Sequence, residues 1–280
     1  MFTVSVLVCA LCSLASFAAG FLDAIAGGGG LLTLPAVLLA GVPPHLALGT
    51  NKFAATLGTL VALGNFARNH LVQWRMALYG LFFSLAGAWL GSRLTLYLDA
   101  AQLGKILVVL LPLGMFATLM PRKERSDAAD NATPKGEDGW RAMLSPSLMC
   151  SAHNGWRFWF LIPPVCFAIG AYDGFFGPGT GSFLILAFHW ILGTSLLSAS
   201  ATAKVLNLTS NFGALCVFLF TDNIIWPLAI CMAVASMLGN WLGSRTAIRV
   251  GSDVVRRFLL VSLSILLLTL VWRYFIAPAQ

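Results

Sequence analysis

Two lysines lie inside long apolar stretches of the chain, where a charge is costly. Lys52 and Lys204 each fall about eight residues into such a stretch, which is roughly 10 Å along a helix. Placing a lysine at the bilayer centre costs about 3 kcal/mol on insertion scales. Ammonium groups at matching depths predict a shared anion site, and side chains that extend to the lipid headgroups are the alternative.

A glycine-rich break precedes each lysine-containing stretch. GGGG occupies 27–30 and GPGTG occupies 177–181. Glycines let backbone N–H groups approach a ligand, and the helix that follows begins with the positive end of its dipole. We therefore predict that the breaks contribute to the anion site, and close helix packing by small residues is the alternative. The residues assigned to the site from these breaks are Gly28, Gly29, Gly30, Gly179, Thr180 and Gly181.

Polar side chains near the lysines and breaks complete the predicted site. Hydroxyl and amide groups suit an oxyanion, although they also serve as contacts between membrane helices. Asp23 and Asp173 precede the breaks, where a carboxylate could carry a coupling proton, hold a lysine or cap the turn. The further residues assigned to substrate binding are Thr50, Asn51, Thr202, Asn207, Ser210 and Asn211.

Few features of the sequence support catalysis, metal binding or nucleotide binding. The histidines have no metal-ligand spacing, no GK[ST] motif follows the glycines, and no nucleophile and base form a set, so we predict no catalytic residue, metal or cofactor. The six cysteines are interpreted as small apolar fillers. Arg93 and Arg245 end apolar segments, where they anchor the helix at the interface or act as gates.

Composition indicates which solvent surrounds these elements. Of 280 residues 59% are apolar and 10% charged, whereas soluble domains carry roughly 25% charged residues. Lipid must therefore solvate much of the surface. The net charge of +7 resides in loops between apolar segments, which indicates the positive-inside rule and not nucleic-acid binding.

The chain consists of two related halves. GFLDAIAGGGGLL resembles GAYDGFFGPGTGSF, GTNK resembles ATAK, and WLGSR occurs twice, at an offset of 150 residues for the aspartates and 152 for the other motifs. We predict membrane repeats at 1–120 and 157–280, separated by a polar cytoplasmic loop at 121–156. The ten apolar segments are 4–26, 31–41, 46–66, 76–98, 103–120, 157–176, 181–193, 197–220, 225–247 and 254–275.

Loop charges predict that the repeats are inverted. The loop after the third segment is basic in the first copy, with Arg68 and Arg75, but contains Asp222 and no base in the second. Equivalent loops then face opposite sides, with both termini outside and the central loop inside. The short second segments favour a glycine-broken helical hairpin in each copy. The predicted fold is an all-α integral membrane protein of two inverted repeats with about five segments each.

At these motifs the chain resembles the TauE/SafE family, also called the sulfite exporter or four-toluene sulfonate uptake permease family. The resemblance rests on GFLDAIAGGGG, GTNK, GPGTG, ATAK with NLTSN, and both WLGSR motifs, although Ala203 replaces Asn51 in the second copy. It implies a carrier in the bacterial inner membrane for sulfite, sulfoacetate or another sulfonate.

The resulting hypothesis is a secondary transporter for a small anion that works by alternating access, with H⁺ or Na⁺ as a possible coupling ion. Its partners would be the anion and the lipid bilayer. An anion channel and an intramembrane enzyme acting on a lipid-linked anion are the alternatives.

Overall fold

The computed structural model describes residues 5–103, 105–106, 109, 155–192 and 196–250. In these ranges eight helices have defined bounds and no residue lies in a strand, which confirms the all-α prediction for the described parts. The helices are α1 Val6–Ala26, α2 Gly30–Leu39, α3 Pro44–Arg68, α4 Trp74–Thr95, α5 Gly155–Phe175, α6 Thr180–Leu192, α7 Leu196–Phe220 and α8 Trp226–Val250.

Eight of the ten predicted segments coincide with these helices, and their bounds agree to within three residues. The predicted segments 103–120 and 254–275 lie almost entirely outside the described residues. So does the predicted loop 121–156, apart from its last two residues, which begin α5. The predicted domain boundaries therefore stay predictions.

The outer surface of the helices is apolar. In the described part of the chain, four helices, α1, α3, α7 and α8, are long and apolar enough to cross a membrane. Exposed side chains include Leu11 and Leu14 on α1, Phe82 on α4, and Ile230 and Val234 on α8. A surface of this kind requires lipid as solvent. The chain is an integral membrane protein.

Glycine turns connect α1 to α2 and α5 to α6. Gly27 (φ 78°) and Gly177 (φ 94°) adopt the left-handed conformation that side chains disfavour. The turns contact each other, because the Ser182 backbone N–H donates to the Gly27 carbonyl at 3.2 Å and the Ser182 hydroxyl donates to the Ala26 carbonyl at 2.7 Å. Irregular backbone is therefore enclosed by protein, as hydrocarbon requires.

Helices of the first half pack mainly on helices of the second. α1 packs on α8 and α4 on α5, while α3 packs on α8 and α4 on α7. α1 runs parallel to α8, since Ser16 contacts Met232 and Phe21 contacts Gly243 further along. α3 runs antiparallel to α7, since Gly49 contacts Phe218 while Lys52 contacts Asn211.

Candidate functional site

Lys52 on α3 forms an ion pair with Asp173 on α5. Its Nζ lies 2.9 Å from Asp173 Oδ2 and donates to Asn211 Oδ1 on α7 at 2.9 Å. The two charged side chains are 1% and 2% exposed. The other carboxylate oxygen, Oδ1, accepts a hydrogen bond of 2.8 Å from the Thr180 hydroxyl at the start of α6. The pair thus joins the third helix of one half to the broken hairpin of the other.

Lys204 on α7 forms the corresponding pair with Asp23 on α1. Its Nζ lies 2.7 Å from Asp23 Oδ2 and also donates to the Asp23 backbone carbonyl. The same carbonyl accepts from the Gly27 N–H that closes the turn, and Asp23 Oδ1 accepts from the Gly29 N–H at 3.3 Å. Lys204 is 1% exposed, whereas the Asp23 side chain is 13% exposed.

Each lysine therefore pairs with the aspartate of the other half. Burial of both ammonium groups rules out side chains that extend to the headgroups. Of the three roles considered for the aspartates, both hold a lysine, and Asp23 also bonds the backbone of its turn. The charges of the two lysines and the two aspartates therefore cancel. A buried charge without a partner would be far more costly.

A cavity of about 40 Å³ lies between the two turns and helices α1, α3 and α8. One water molecule needs roughly 10–15 Å³ of such cavity volume, so the cavity holds about three waters or one small ligand. Ten of the predicted residues line it: Asp23, Gly29, Gly30, Asn51, Lys52, Asp173, Gly179, Gly181, Asn207 and Asn211.

Six predicted residues do not line this cavity: Gly28, Thr50, Thr180, Thr202, Lys204 and Ser210. Thr180 and Lys204 bond the aspartates, as described above. The Thr50 hydroxyl accepts from the Ile225 N–H before α8 at 3.1 Å, and Thr202 accepts from the Gln73 N–H before α4 at 3.0 Å. These threonines therefore fix the starts of helices in the opposite half.

Sequence reasoning missed five polar residues on the cavity wall: Ser16, Thr33, Thr59, Ser236 and Asn240. Asn240 Nδ2 donates to the Ser236 carbonyl at 3.0 Å, and Thr33 donates to Asn51 Oδ1 at 2.6 Å. A signal existed for the pair on α8, because polar residues four apart share a helix face inside an otherwise apolar stretch.

Small residues make room for Asn240. A Cβ atom added to Gly20 on α1 would lie 2.8 Å from Asn240 Nδ2, and one added to Gly58 on α3 would lie 2.5 Å from it. Three helices thus approach closely at this amide. Glycine at both positions keeps the polar wall accessible from the cavity.

Arg93 and Arg245 lie outside the cavity. Each is exposed and stacks on the tryptophan one turn earlier, with 4.3 Å from the Arg93 guanidinium to the Trp89 ring and 4.0 Å from Arg245 to Trp241. Both tryptophans are exposed. An amphipathic ring beside an arginine at a helix end is typical of an interface anchor, which favours anchoring over gating.

Sequence comparison places this architecture among known proteins. The family profile described as "Sulfite exporter TauE/SafE" matches residues 12–270. The chain belongs to the TauE/SafE family. That match spans both glycine turns, both lysines and both aspartates, so the paired site lies within the family's shared region.

Relatives of this TauE/SafE protein bear names that give a general activity. A "Probable membrane transporter protein" of Haemophilus influenzae is 37% identical over 88% of this chain and 87% of its own. "Probable membrane transporter protein ORF9" of Sinorhizobium sp is 37% identical over 88% and 86%. "Probable membrane transporter protein YfcA" of Escherichia coli K12 is 35% identical over 93% and 88%. No solved structure gives a significant match. The protein is a membrane transporter of this family.

Proposed function

We propose that this protein is a secondary transporter that moves a small sulfur-containing anion, such as sulfite, sulfoacetate or another sulfonate, across the bacterial inner membrane. The observation that carries the proposal is the cavity whose wall includes the Lys52 ammonium group and glycines of both turns. The family description supplies the sulfur chemistry. The cavity size fits a small ligand.

Anion binding would combine a lysine with helix dipoles. α2 begins at Gly30 and α6 at Thr180, so two helix N-termini start at the turns that border the cavity. The positive end of each dipole favours an anion. Asn51, Asn207 and Asn211 add amide groups at the same wall.

Alternating access would follow from inverted repeats. In support, α3 and its counterpart α7 run antiparallel, and the two hairpin turns meet at Gly27 and Ser182. One half of the molecule could then rock against the other half around a central site. Basic residues such as Arg68 and Arg75 would lie in the cytoplasm, with both termini outside.

Flux measurements in proteoliposomes test the proposal. Purified protein should take up labelled sulfite or sulfoacetate, and unlabelled substrate inside the vesicles should accelerate the uptake. Lys52→Ala should abolish that uptake, and Asp222→Asn in the exposed 221–223 loop should not. Flux that trans substrate leaves unchanged would identify a channel instead, and absence of flux for every sulfur anion tested would refute the assigned substrate class.

A further inference from the structure

We propose that each anion is carried together with one proton, and that the Lys52–Asp173 pair exchanges its partner in this step while the Lys204–Asp23 pair stays closed. This inference rests on the proposed function and assigns different roles to two pairs that the repeat makes equivalent. It names the coupling ion and its site.

Charge balance in the buried cluster supplies the first step. Two lysines and two aspartates cancel at the cavity. An anion that enters this cluster adds its own negative charge, one for hydrogensulfite and two for ionised sulfoacetate, in a medium of low dielectric constant, which is unfavourable. Protonation of one carboxylate removes one negative charge from the cluster and releases one lysine as the partner of the anion. Proton and anion then bind cooperatively.

The geometry selects Lys52 as the lysine that is released. Lys52 lines the cavity, whereas Lys204 does not. Its Nζ also lies directly under the second turn, since a Cβ atom added to Gly177 would be 3.0 Å from it. Asp173 lines the cavity beside Lys52, so an anion in the cavity can take the place of Asp173 Oδ2 next to Nζ.

The Lys204–Asp23 pair is built to stay closed. Lys204 bonds both the carboxylate and the backbone carbonyl of Asp23, and that carbonyl also accepts from the Gly27 N–H. Opening the pair would disturb the last turn of α1. It would also leave Lys204 charged and buried at a position that does not line the cavity.

The exchange needs no further reactant. A proton from water forms an O–H bond at Asp173 Oδ2, Lys52 stays an ammonium ion, and an oxygen of the anion replaces Oδ2 beside Nζ. The Thr180 hydroxyl continues to bond Oδ1. On reaching the other side, the proton and the anion leave and the ion pair closes again. The cycle therefore moves one proton with each anion.

Neighbouring charged groups do not compete for Asp173. The elements packed against α5 carry Arg75, Tyr79 and Arg93 on α4, His189 on α6 and Lys204 on α7, and Tyr172 precedes Asp173 on α5 itself. Among described residues, the ion-pair partner of its carboxylate is Lys52 and the hydrogen-bond donor is Thr180. Its protonation therefore acts directly on Lys52.

The same contacts favour H⁺ over Na⁺. At Asp173, Oδ2 is ion-paired with Lys52 and Oδ1 accepts from the Thr180 hydroxyl. Because Lys52 stays an ammonium ion during the exchange, a sodium ion at this carboxylate would lie next to a positive charge in a medium of low dielectric constant. A proton needs no coordination shell and only a lone pair.

Proteoliposomes loaded at equal or unequal pH test the inference. Labelled sulfoacetate is a suitable probe, because its acid groups remain ionised between about pH 6 and about pH 8. An acidic exterior should drive accumulation, a protonophore should abolish it, and a sodium gradient should not replace it. Asp173→Asn should keep sulfoacetate counterflow but lose the response to the pH gradient.

Two variants separate the pairs. Asp23→Asn should lower gradient-driven uptake and counterflow alike, because Lys204 loses its counter-ion, so that the ratio of the two rates stays that of the wild type, whereas Asp173→Asn should lower this ratio. Asp222→Asn is the matched control for the aspartate changes.

The outcomes are distinct. Counterflow without any response to the pH gradient, or driven by sodium, overturns proton coupling while the transport function stands. A response lost in Asp23→Asn but kept in Asp173→Asn would show that the proposal assigns the proton to the wrong pair. Absence of both flux and counterflow for sulfite and sulfoacetate overturns the proposed function itself.

Discussion

At the scale of single residues, the two ion pairs combine stability with function. Lys52 and Lys204 are each 1% exposed in a protein whose outer solvent is lipid. A buried ion pair contributes little net stability, but removal of one partner leaves a charge that neither water nor protein compensates. The pairs therefore make each half of the chain depend on the other.

We expect Lys204→Met to destabilise the protein by about 3–5 kcal/mol, because Asp23 loses its counter-ion. The double variant Lys204→Met/Asp23→Asn should recover most of this loss, since no charge stays unpaired. Thermal unfolding in detergent measures both, with Lys105→Met on the exposed surface as control. A double variant as unstable as the single one would show that packing, and not charge, holds this site.

Asn240 offers a prediction for affinity. We expect Asn240→Ala to weaken sulfite or sulfoacetate binding by roughly tenfold, the equivalent of one hydrogen bond, with little loss of stability, because Ala88 occupies the equivalent place in the first copy. Ligand-induced shifts of the melting temperature measure this. Asn69→Ala is a matched control, since the exposed Asn69 amide also donates to the carbonyl four residues earlier. Equal ligand affinities of wild type and Asn240→Ala would remove Asn240 from the binding site.

At the scale of elements, the glycine turns position two half-helices at one centre. Gly27 allows the left-handed turn and also the contact with the opposite hairpin, where a Cβ atom would lie 2.5 Å from the Gly181 carbonyl carbon. A side chain would have to displace backbone and not another side chain. The turn therefore has little tolerance for substitution.

We expect Gly27→Ala to abolish uptake and to lower the melting temperature, because strain at φ 78° adds to the backbone clash. Gly64→Ala should instead raise the melting temperature. Gly64 lies inside α3 with open space around its Cβ position, so alanine should stabilise the helix by about 0.5–1 kcal/mol. Uptake and melting curves of both variants provide the test, and normal uptake by Gly27→Ala would show that the turns can separate.

The sequence predicted the helices better than it predicted which side chains contact each other. Apolar runs located α3 and α7, because membrane helices require long apolar segments. Repeat alignment identified Lys52 and Asp173 as special positions but not as a pair, since an internal match does not specify which copies come together. Asn240 escaped notice for a related reason: its counterpart is Ala88, so the repeat gave no signal where the halves differ.

At the scale of the whole molecule, contacts recur with the halves exchanged. Thr50 bonds the residue before α8, and Thr202, at an offset of 152, bonds the residue before α4. His70 and Asp222 differ by the same offset and both have positive φ, 55° and 52°. His70 and Asp222 lie outside the matching motifs, so their shared backbone conformation supports a common architecture of the two halves independently of those motifs.

The proposed inversion makes a prediction for the whole molecule. Asn69 and Thr221 are equivalent, exposed residues at the ends of α3 and α7. In a background without native cysteines, Asn69→Cys should react with a membrane-impermeant thiol reagent only in inside-out vesicles, and Thr221→Cys only in intact cells or right-side-out vesicles. Opposite labelling is expected because α3 and α7 run antiparallel and basic residues flank only the first loop. Labelling of both from one side would mean that the halves are not inverted, and a rocking exchange around the central pairs would lose its structural basis.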